Sequence, residues 1–162
     1  MARAPQFGEP EAGRDYPDRP AAFGVAVREG RIAVVRVEKP GVKAWLDLPG
    51  GALDPGEAAV AAVAREFGEE TGLVVEAAGP PFAFADQYFV NTDDQAFNNR
   101  AAFFEVEVRG AQPDLKIEAD HTLEWIDPSE AVTLLRHEAH AWATAAWLRR
   151  RAARIASAEG TS

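Results

Sequence analysis

The chain has 162 residues, 47% of them apolar, a formal net charge of −9 and no cysteine. That length and apolar content suit one globular domain with an adequate core. The composition excludes disulfides and thiolate metal sites, and the acidic balance argues against broad, backbone-driven nucleic-acid binding, which needs a basic surface. No stretch approaches the length of a membrane span, and the opening residues lack the apolar core of a signal peptide. A reducing compartment is expected without cysteines, with cytoplasm the default.

Residues 1–20 are rich in proline, glycine and charge and lack periodicity. They read as a flexible or extended arm ahead of a single domain over 21–158. Two β-rich runs, 22–28 and 31–37, meet at Glu29-Gly30 and predict a hairpin. A short run at 43–48 leads into Pro49-Gly50-Gly51, where backbone without Cβ can approach a ligand. Asp54, Pro55 and Glu57 read as the cap, first residue and cap partner of a helix. Val60, Val63, Ala64 and Phe67 then fall at i, i+3, i+4 and i+7, which predicts one buried stripe. Gly72 suits a left-handed C-cap, and Leu73 returns to the core.

Strand candidates follow at 73–77 and 82–90, with Phe82, Phe84, Tyr88 and Phe89 read as strand core by alternation. Residues 91–98 read as a polar loop, and 101–108 and 122–126 as further strands. Asp127-Pro128-Ser129-Glu130 repeats the helix-start pattern, and a helical pattern runs to about Ala158, broken near His137. Strands around a central helix, closed by a terminal helix, suggest a mixed sheet packed between helices.

The central helix carries the chemistry. At ~100° per residue, Glu66 lies roughly 100° from Phe67, with Glu69 and Glu70 about 60° and 40° to either side of it. Three neighbouring carboxylates with no lysine among them repel one another, and a hard cation such as Mg²⁺, which prefers oxygen ligands, resolves that conflict. Arg65, one turn before Glu69, can fix that carboxylate. Glu57 either caps the helix or reaches the carboxylate cluster. Arg36 and Arg100 are candidates for phosphate or ribose contacts through bidentate geometry. His137 and His140, at i and i+3 with no aspartate or cysteine partner nearby in sequence, read as core edge or surface rather than metal ligands. Arg149, Arg150, Arg151 and Arg154 read as a solvated helix end.

From Gly51 the chain runs through five residues to Glu57, seven more, then Arg65-Glu66-Phe67-Gly68-Glu69-Glu70-Thr71-Gly72-Leu73. This resembles the Nudix hydrolase signature at every specified position. The resemblance spans roughly residues 20–150 and implies an α/β fold, a Nudix-type α/β/α sandwich with a central mixed β-sheet. It implies a metal-dependent pyrophosphohydrolase that cleaves a diphosphate linkage in a small nucleotide-type substrate by water attack at phosphorus. Two or more Mg²⁺ ions (or Mn²⁺) would be held by Glu66, Glu69 and Glu70, with the Gly51 carbonyl and Glu57 as further candidate ligands. Arg65 would orient a catalytic glutamate. The general base would be a glutamate of the helix, Glu66 or Glu69, or else Glu118 or Asp120 from the segment before the late strand. Tyr88, sixteen residues beyond Gly72, is similar in placement to a tyrosine of the dinucleoside-polyphosphate branch. The proline found at a similar distance in many ADP-ribose hydrolases is absent. Other readings are a non-catalytic Nudix-fold nucleotide sensor and a hydrolase acting on RNA 5′ ends. Homodimers are common in the family, and residues 91–100 are the expected specificity loop.

Overall fold

The computed structural model describes residues 3–160; Met1 and Ala2 of the expected arm, and Thr161 and Ser162, lie outside them. In chain order the strands are β1 (Gln6–Phe7), β2 (Asp18–Arg28), β3 (Arg31–Val37), β4 (Trp45–Asp47), β5 (Gly50–Ala52), β6 (Leu73–Ala77), β7 (Ala83–Val90), β8 (Ala96–Ala111) and β9 (His121–Ile126). The helices are α1 (Ala59–Thr71), α2 (Pro128–Leu134) and α3 (Glu138–Glu159), with a 3-10 turn at Pro113–Leu115.

The strands form one mixed sheet in the order β1-β7-β8-β2-β3-β4, with β5 also pairing β2, β6 pairing β8 and β9 pairing β3. β2 is the centre. One of its edges runs parallel to β8 from Asp18↔Asn98 to Ala26↔Val106. The other edge is shared between β5, at residues 21–23, and β3, at residues 27 and 28. The β2–β3 hairpin turns on Glu29 and Gly30, both at positive φ (50° and 77°), the pattern of a two-residue turn whose twist matches its strands.

Period-two alternation sorts the side chains into two cores. Ala21, Phe23, Val25, Ala101 and Phe103 pack under α2 and α3, against Ala131, Leu135, Ala139, Ala143 and Trp147. Ala22, Ala26, Ala102, Phe104 and Val106 pack under α1, against Ala62, Val63 and Phe67. A sheet covered by helices on both faces is the α/β/α sandwich that the sequence implied.

Several local expectations change. Helix α1 begins at Ala59, not beside Asp54, because Gly56 at φ 76° turns residues 54–57 into a separate loop. The Asp54–Glu57 contact survives inside that loop, with the Asp54 N–H donating to Glu57 Oε1 at 2.9 Å. Ala58 occupies the cap position without a side-chain bond. With the helix starting later, Val60 lies at its open first turn and is 50% exposed, while Val63 and Phe67 are fully buried. Phe84 is also exposed, because α1 does not extend over that end of the sheet. The expected loop 91–98 shrinks to 91–95: the Asn91 side chain accepts from the N–H groups of Asp93 and Gln95 and closes a tight hairpin. β8 therefore begins at Ala96, and β2 begins at Asp18 within the expected arm. Earlier in that arm, Gln6–Phe7 lies parallel to β7, and Arg14 bonds Asp94.

Candidate active site

Helix α1 ends as its sequence dictates. Gly72 takes the left-handed conformation, φ 77°, and donates its N–H to the Gly68 carbonyl. The last turn also binds a distant loop: the Glu69 carbonyl accepts the N–H groups of Ile117 and Glu118 at 2.9 and 3.0 Å. The carboxylates of α1 and the loop before β9 thus share one support.

Arg65 organises the first half of the site. Its Nε and Nη2 grip Glu57 at 2.9 Å each, its Nη1 reaches Glu66 and Glu69 at 3.1 and 3.0 Å, and its Nη2 also donates to the Ala52 carbonyl at 3.1 Å. The expected Arg65–Glu69 pair is present, but the planar fork binds Glu57 as well, which spacing along the helix cannot reveal. Glu57 is held down to about 2 by Arg65 and then by the Asp54 N–H. Glu66 behaves oppositely: burial, and then the like charges of Glu70 and Glu69, push its carboxyl up to about 7 against the pull of Arg65.

Glu70 is 5% exposed and supports the second half. It accepts the Gly50 N–H at 2.7 Å and pairs with His121 Nε2 at 2.9 Å. The other ring nitrogen of His121 meets Asp120 at 2.7 Å, and Asp120 is bonded in turn by Lys39 at 2.7 Å. Burial opposes the charged imidazolium of His121, but the carboxylates on both sides outweigh it and raise it to about 9. Lys39, with His121, holds Asp120 down to about 2. Glu118 completes the loop, its carboxylate free of ion pairs among the described residues and within 4.8 Å of ligand atoms on Asp120 and His121. His121 was not singled out in the sequence; only its place in the stretch 118–121 marked it.

The glycines fit because nothing else does. At Gly50, φ 145°, a side chain would strike the Ala22 carbonyl and Phe23. At Gly51 a Cβ would lie 2.8 Å from the Glu66 carboxylate.

Beside Glu70 and the two glycines lies a cavity of about 130 Å³. It is also lined by Arg19, Phe89, Asn99, His137 and His140. The two histidines are 8% and 3% exposed, deeper than a core edge, because their rings pack on one another and on Phe89, Phe23 and Phe103. Neither Arg19, in the expected arm, nor Asn99 carried any motif that marked it beforehand.

The remaining sequence candidates stand apart from this cavity. Arg36 is paired with Glu124 through two bonds of 2.8 and 3.1 Å across β3 and β9. Arg100 bonds Asp86 and Asp18 at 2.8 and 3.0 Å. Arg100 and Tyr88 line a separate polar cavity of about 570 Å³, with Gln6, Asp18, Asp86 and Asn98. Tyr88 packs edge-on against Tyr16. At the far end of α3, Arg150 and Arg154 pair with Glu105, and Arg151 lies over Trp147.

An α/β/α sandwich whose central helix offers an arginine-braced set of carboxylates beside a Gly-Gly strand defines a Nudix-type protein. The family model for the NUDIX domain matches residues 18–148, and the chain belongs to that family. It is by that membership a hydrolase. Solved structures share the fold. A MutT protein from Methanosarcina mazei Go1 superposes with a TM-score of 0.66 at 21% identity, covering 86% of this chain and 99% of that one. A NUDIX hydrolase from Nitrosomonas europaea gives 0.65 at 20% identity, covering 82% and 89%. An ADP-ribose pyrophosphatase from Streptococcus suis 89-1591 gives 0.59 at 16% identity, covering 82% and 91%. A comparison with curated proteins finds no match. Among the described residues, no helix is long and apolar enough to cross a membrane.

Proposed function

We propose that this hydrolase is a divalent-metal-dependent pyrophosphohydrolase that cleaves a diphosphate linkage in a nucleotide-type substrate by attack of water at phosphorus. The observation that carries this reading is the crowding of Glu66, Glu69 and Glu70 beside the Gly50-Gly51 strand, where Arg65 grips Glu57 more fully than it does Glu66 and Glu69, and His121 divides its two ring nitrogens between Glu70 and Asp120. The fit to a hard cation is chemical. Every donor is oxygen, the Glu66 carboxyl is pushed up first by burial and then by its like-charged neighbours Glu70 and Glu69, and a cation would relieve that repulsion. Glu66, Glu69, Glu70 and the Gly51 carbonyl would hold it. When bound it supplies Lewis-acid neutralisation of the diphosphate and a lower pKa for the attacking water.

The chain's own residues do the rest. Arg65 fixes the rotamers of Glu57, Glu66 and Glu69, so the cluster is organised before substrate arrives. Gly50 anchors Glu70 through its N–H, and Gly51 leaves room for the Glu66 carboxylate. A glutamate of α1, Glu66 or Glu69, takes the proton from water. In the loop, Asp120 is engaged by Lys39 and His121, which leaves Glu118 as the better second acceptor.

The test is hydrolysis of a panel of nucleoside triphosphates, ADP-ribose, diadenosine polyphosphates, sugar nucleotides and coenzyme A, with Mg²⁺, Mn²⁺ or EDTA, followed by chromatography of the phosphomonoester and pyrophosphate products. Turnover of at least one compound is expected with metal and none with EDTA. Glu70→Gln should lower kcat by several orders of magnitude while circular dichroism stays unchanged. Metal-independent turnover, or near-normal turnover by Glu70→Gln, would overturn the assignment.

A further inference from the structure

The lining of the cavity beside Glu70 has a hydrogen-bonding inventory that the carboxylate site does not use. Arg19, on β2, is half-buried and forms no ion pair among the described residues. Its guanidinium lies 4.2 Å from the Phe97 ring centroid and 5.2 Å from that of Phe89. Its Nε donates to Asn99 Oδ1 at 2.9 Å. The head is therefore fixed by two rings and an amide, while both Nη groups keep their protons free of protein acceptors. The carboxylate of greatest electrostatic consequence for it is Glu66, which Arg65 already binds. A half-buried, unpaired guanidinium is costly unless an anion joins it.

Two further donors face the same space. Asn99 is 5% exposed, and since Oδ1 accepts from Arg19, its Nδ2 remains as a donor with no protein partner. His140 is 3% exposed, and its Nδ1 accepts the Leu48 N–H at 3.2 Å. Burial keeps the His140 ring neutral, so its proton resides on Nε2. Neither Nδ2 nor Nε2 is a sealed, unsatisfied atom, and both residues line the cavity. The nearby carboxylates are already occupied: Asp47 accepts from Trp45 and Arg136, and Glu70 from Gly50 and His121. This lining is rich in free donors and poor in free acceptors.

We propose that Arg19, Asn99 and His140 form a receptor for a second oxyanion of the substrate, a phosphoryl or carboxylate group lying beyond the diphosphate that is cleaved at the carboxylate helix. The inference rests on the hydrolase reading only for the word substrate. It selects compounds that carry a third anionic group, and it places the determinant of that choice on β2, β8 and α3 rather than in the loop at 91–95.

The experiment uses the full chain in EDTA, so that it reads neither metal nor turnover. Inorganic phosphate and, separately, acetate are titrated while NMR follows the Arg19 Nε–H, the Asn99 Nδ2 protons and the His140 Nε2–H. Saturable shifts at all three groups are expected. Tighter phosphate binding identifies a phosphoryl receptor, and tighter acetate binding a carboxylate receptor. Arg19→Gln should weaken the preferred anion about tenfold or more, the loss expected for a charge-assisted bidentate contact. Arg19→Lys, which keeps the charge and the apolar stem but not the fork, should fall between. Asn99→Asp should abolish binding by supplying an internal partner for Arg19, with a dispersed spectrum as the check on folding. No saturable shift at these groups in the unmodified chain, or unchanged titration in Arg19→Gln and Asn99→Asp, would overturn the proposal. Absence of hydrolysis in the metal-dependent screen would leave this result standing, so the two readings fail separately.

Discussion

Replacing Gly24 by alanine is expected to move the helix that carries the carboxylates. Gly24 sits in the centre of β2, and a Cβ built there would lie 2.6 Å from Phe67 Cε2, 3.1 Å from Val63 Cγ2 and 3.2 Å from Val106 Cγ1. Carbon atoms pack at about 3.5–4.0 Å, so the closest overlap is about 1 Å. Phe67 is fully buried and has no empty space to rotate into, and relief must come from α1 lifting off the sheet. Overpacking of this kind costs about 1–3 kcal/mol, or a fall in Tm of roughly 5 °C for a chain of this size. The same shift carries Glu66, Glu69 and Glu70 out of register with Gly50 and Gly51, and a misplacement of about 1 Å can reduce turnover on the order of 100-fold. Phe67→Leu should relieve the clash, so the double variant should be more stable than the sum of the single changes predicts, by about 0.5 kcal/mol or more. Thermal unfolding of the four proteins, paired with turnover of the best substrate, measures both effects. A wild-type Tm for Gly24→Ala, or strictly additive changes, would refute the argument that β2 sets the height of α1.

Gly51→Ala should separate stability from activity, because its Cβ meets the end of a flexible side chain, Glu66, and not backbone. A Tm within about 2 °C of the parent is expected, with a clear loss in kcat; equal loss in both would count against it. The buried histidines give a pH dependence of defined sign. Burial first, then the charge of Arg136, lowers His137 from 6.5 to about 3, and His140 is likewise held well below 6.5. A histidine depressed in the folded state contributes stability that is complete above its unfolded value of 6.5 and is lost as pH falls toward the folded value. Each group should therefore cost about 1.4 kcal/mol per pH unit below 6.5. Between pH 6.5 and 5 the Glu66 carboxyl, raised to about 7, acts in the opposite sense to the histidines, so the readout is a difference: His137→Phe should remove about 1.4 kcal/mol per pH unit of the loss seen in urea unfolding on acidification; an unchanged slope would show that His137 is not held neutral.

The helix and its carboxylates were legible in sequence because they are local. Glu66, Glu69, Glu70 and Arg65 lie within two turns of one helix, where spacing alone fixes their relative directions. Val60 and Asp54 misled for an equally local reason: Gly56 breaks the pattern, and a cap-like contact can exist in a loop before the helix begins. His121 was hidden because its contact with Glu70 spans fifty-one residues and depends on the Glu69 carbonyl capturing the loop before β9. Arg19 and Asn99 were hidden more completely. In sequence Arg19 falls in the expected arm and Asn99 in the expected specificity loop, and their pairing arises only because β2 and β8 run parallel in one register, Arg19 opposite Asn99. The expectation of specificity at 91–100 placed Asn99 in the right segment, but as loop rather than strand.

That parallel pairing also has a meaning in time. Asp18 finds its partner eighty residues later, at Asn98, and contacts so distant in sequence delay folding because a long loop must close before they form. During synthesis, α1 emerges complete while the strand that finishes its docking surface is still unmade: Ala102, Phe104 and Val106 of β8 are part of the floor beneath Phe67. Helix α1 has only the partial floor of Ala22, Ala26 and Ala33, from β2 and β3, and of the β6 residues that follow it until residue 106 has left the ribosome. The gate on making an active enzyme is the arrival of β8 rather than the formation of the signature itself.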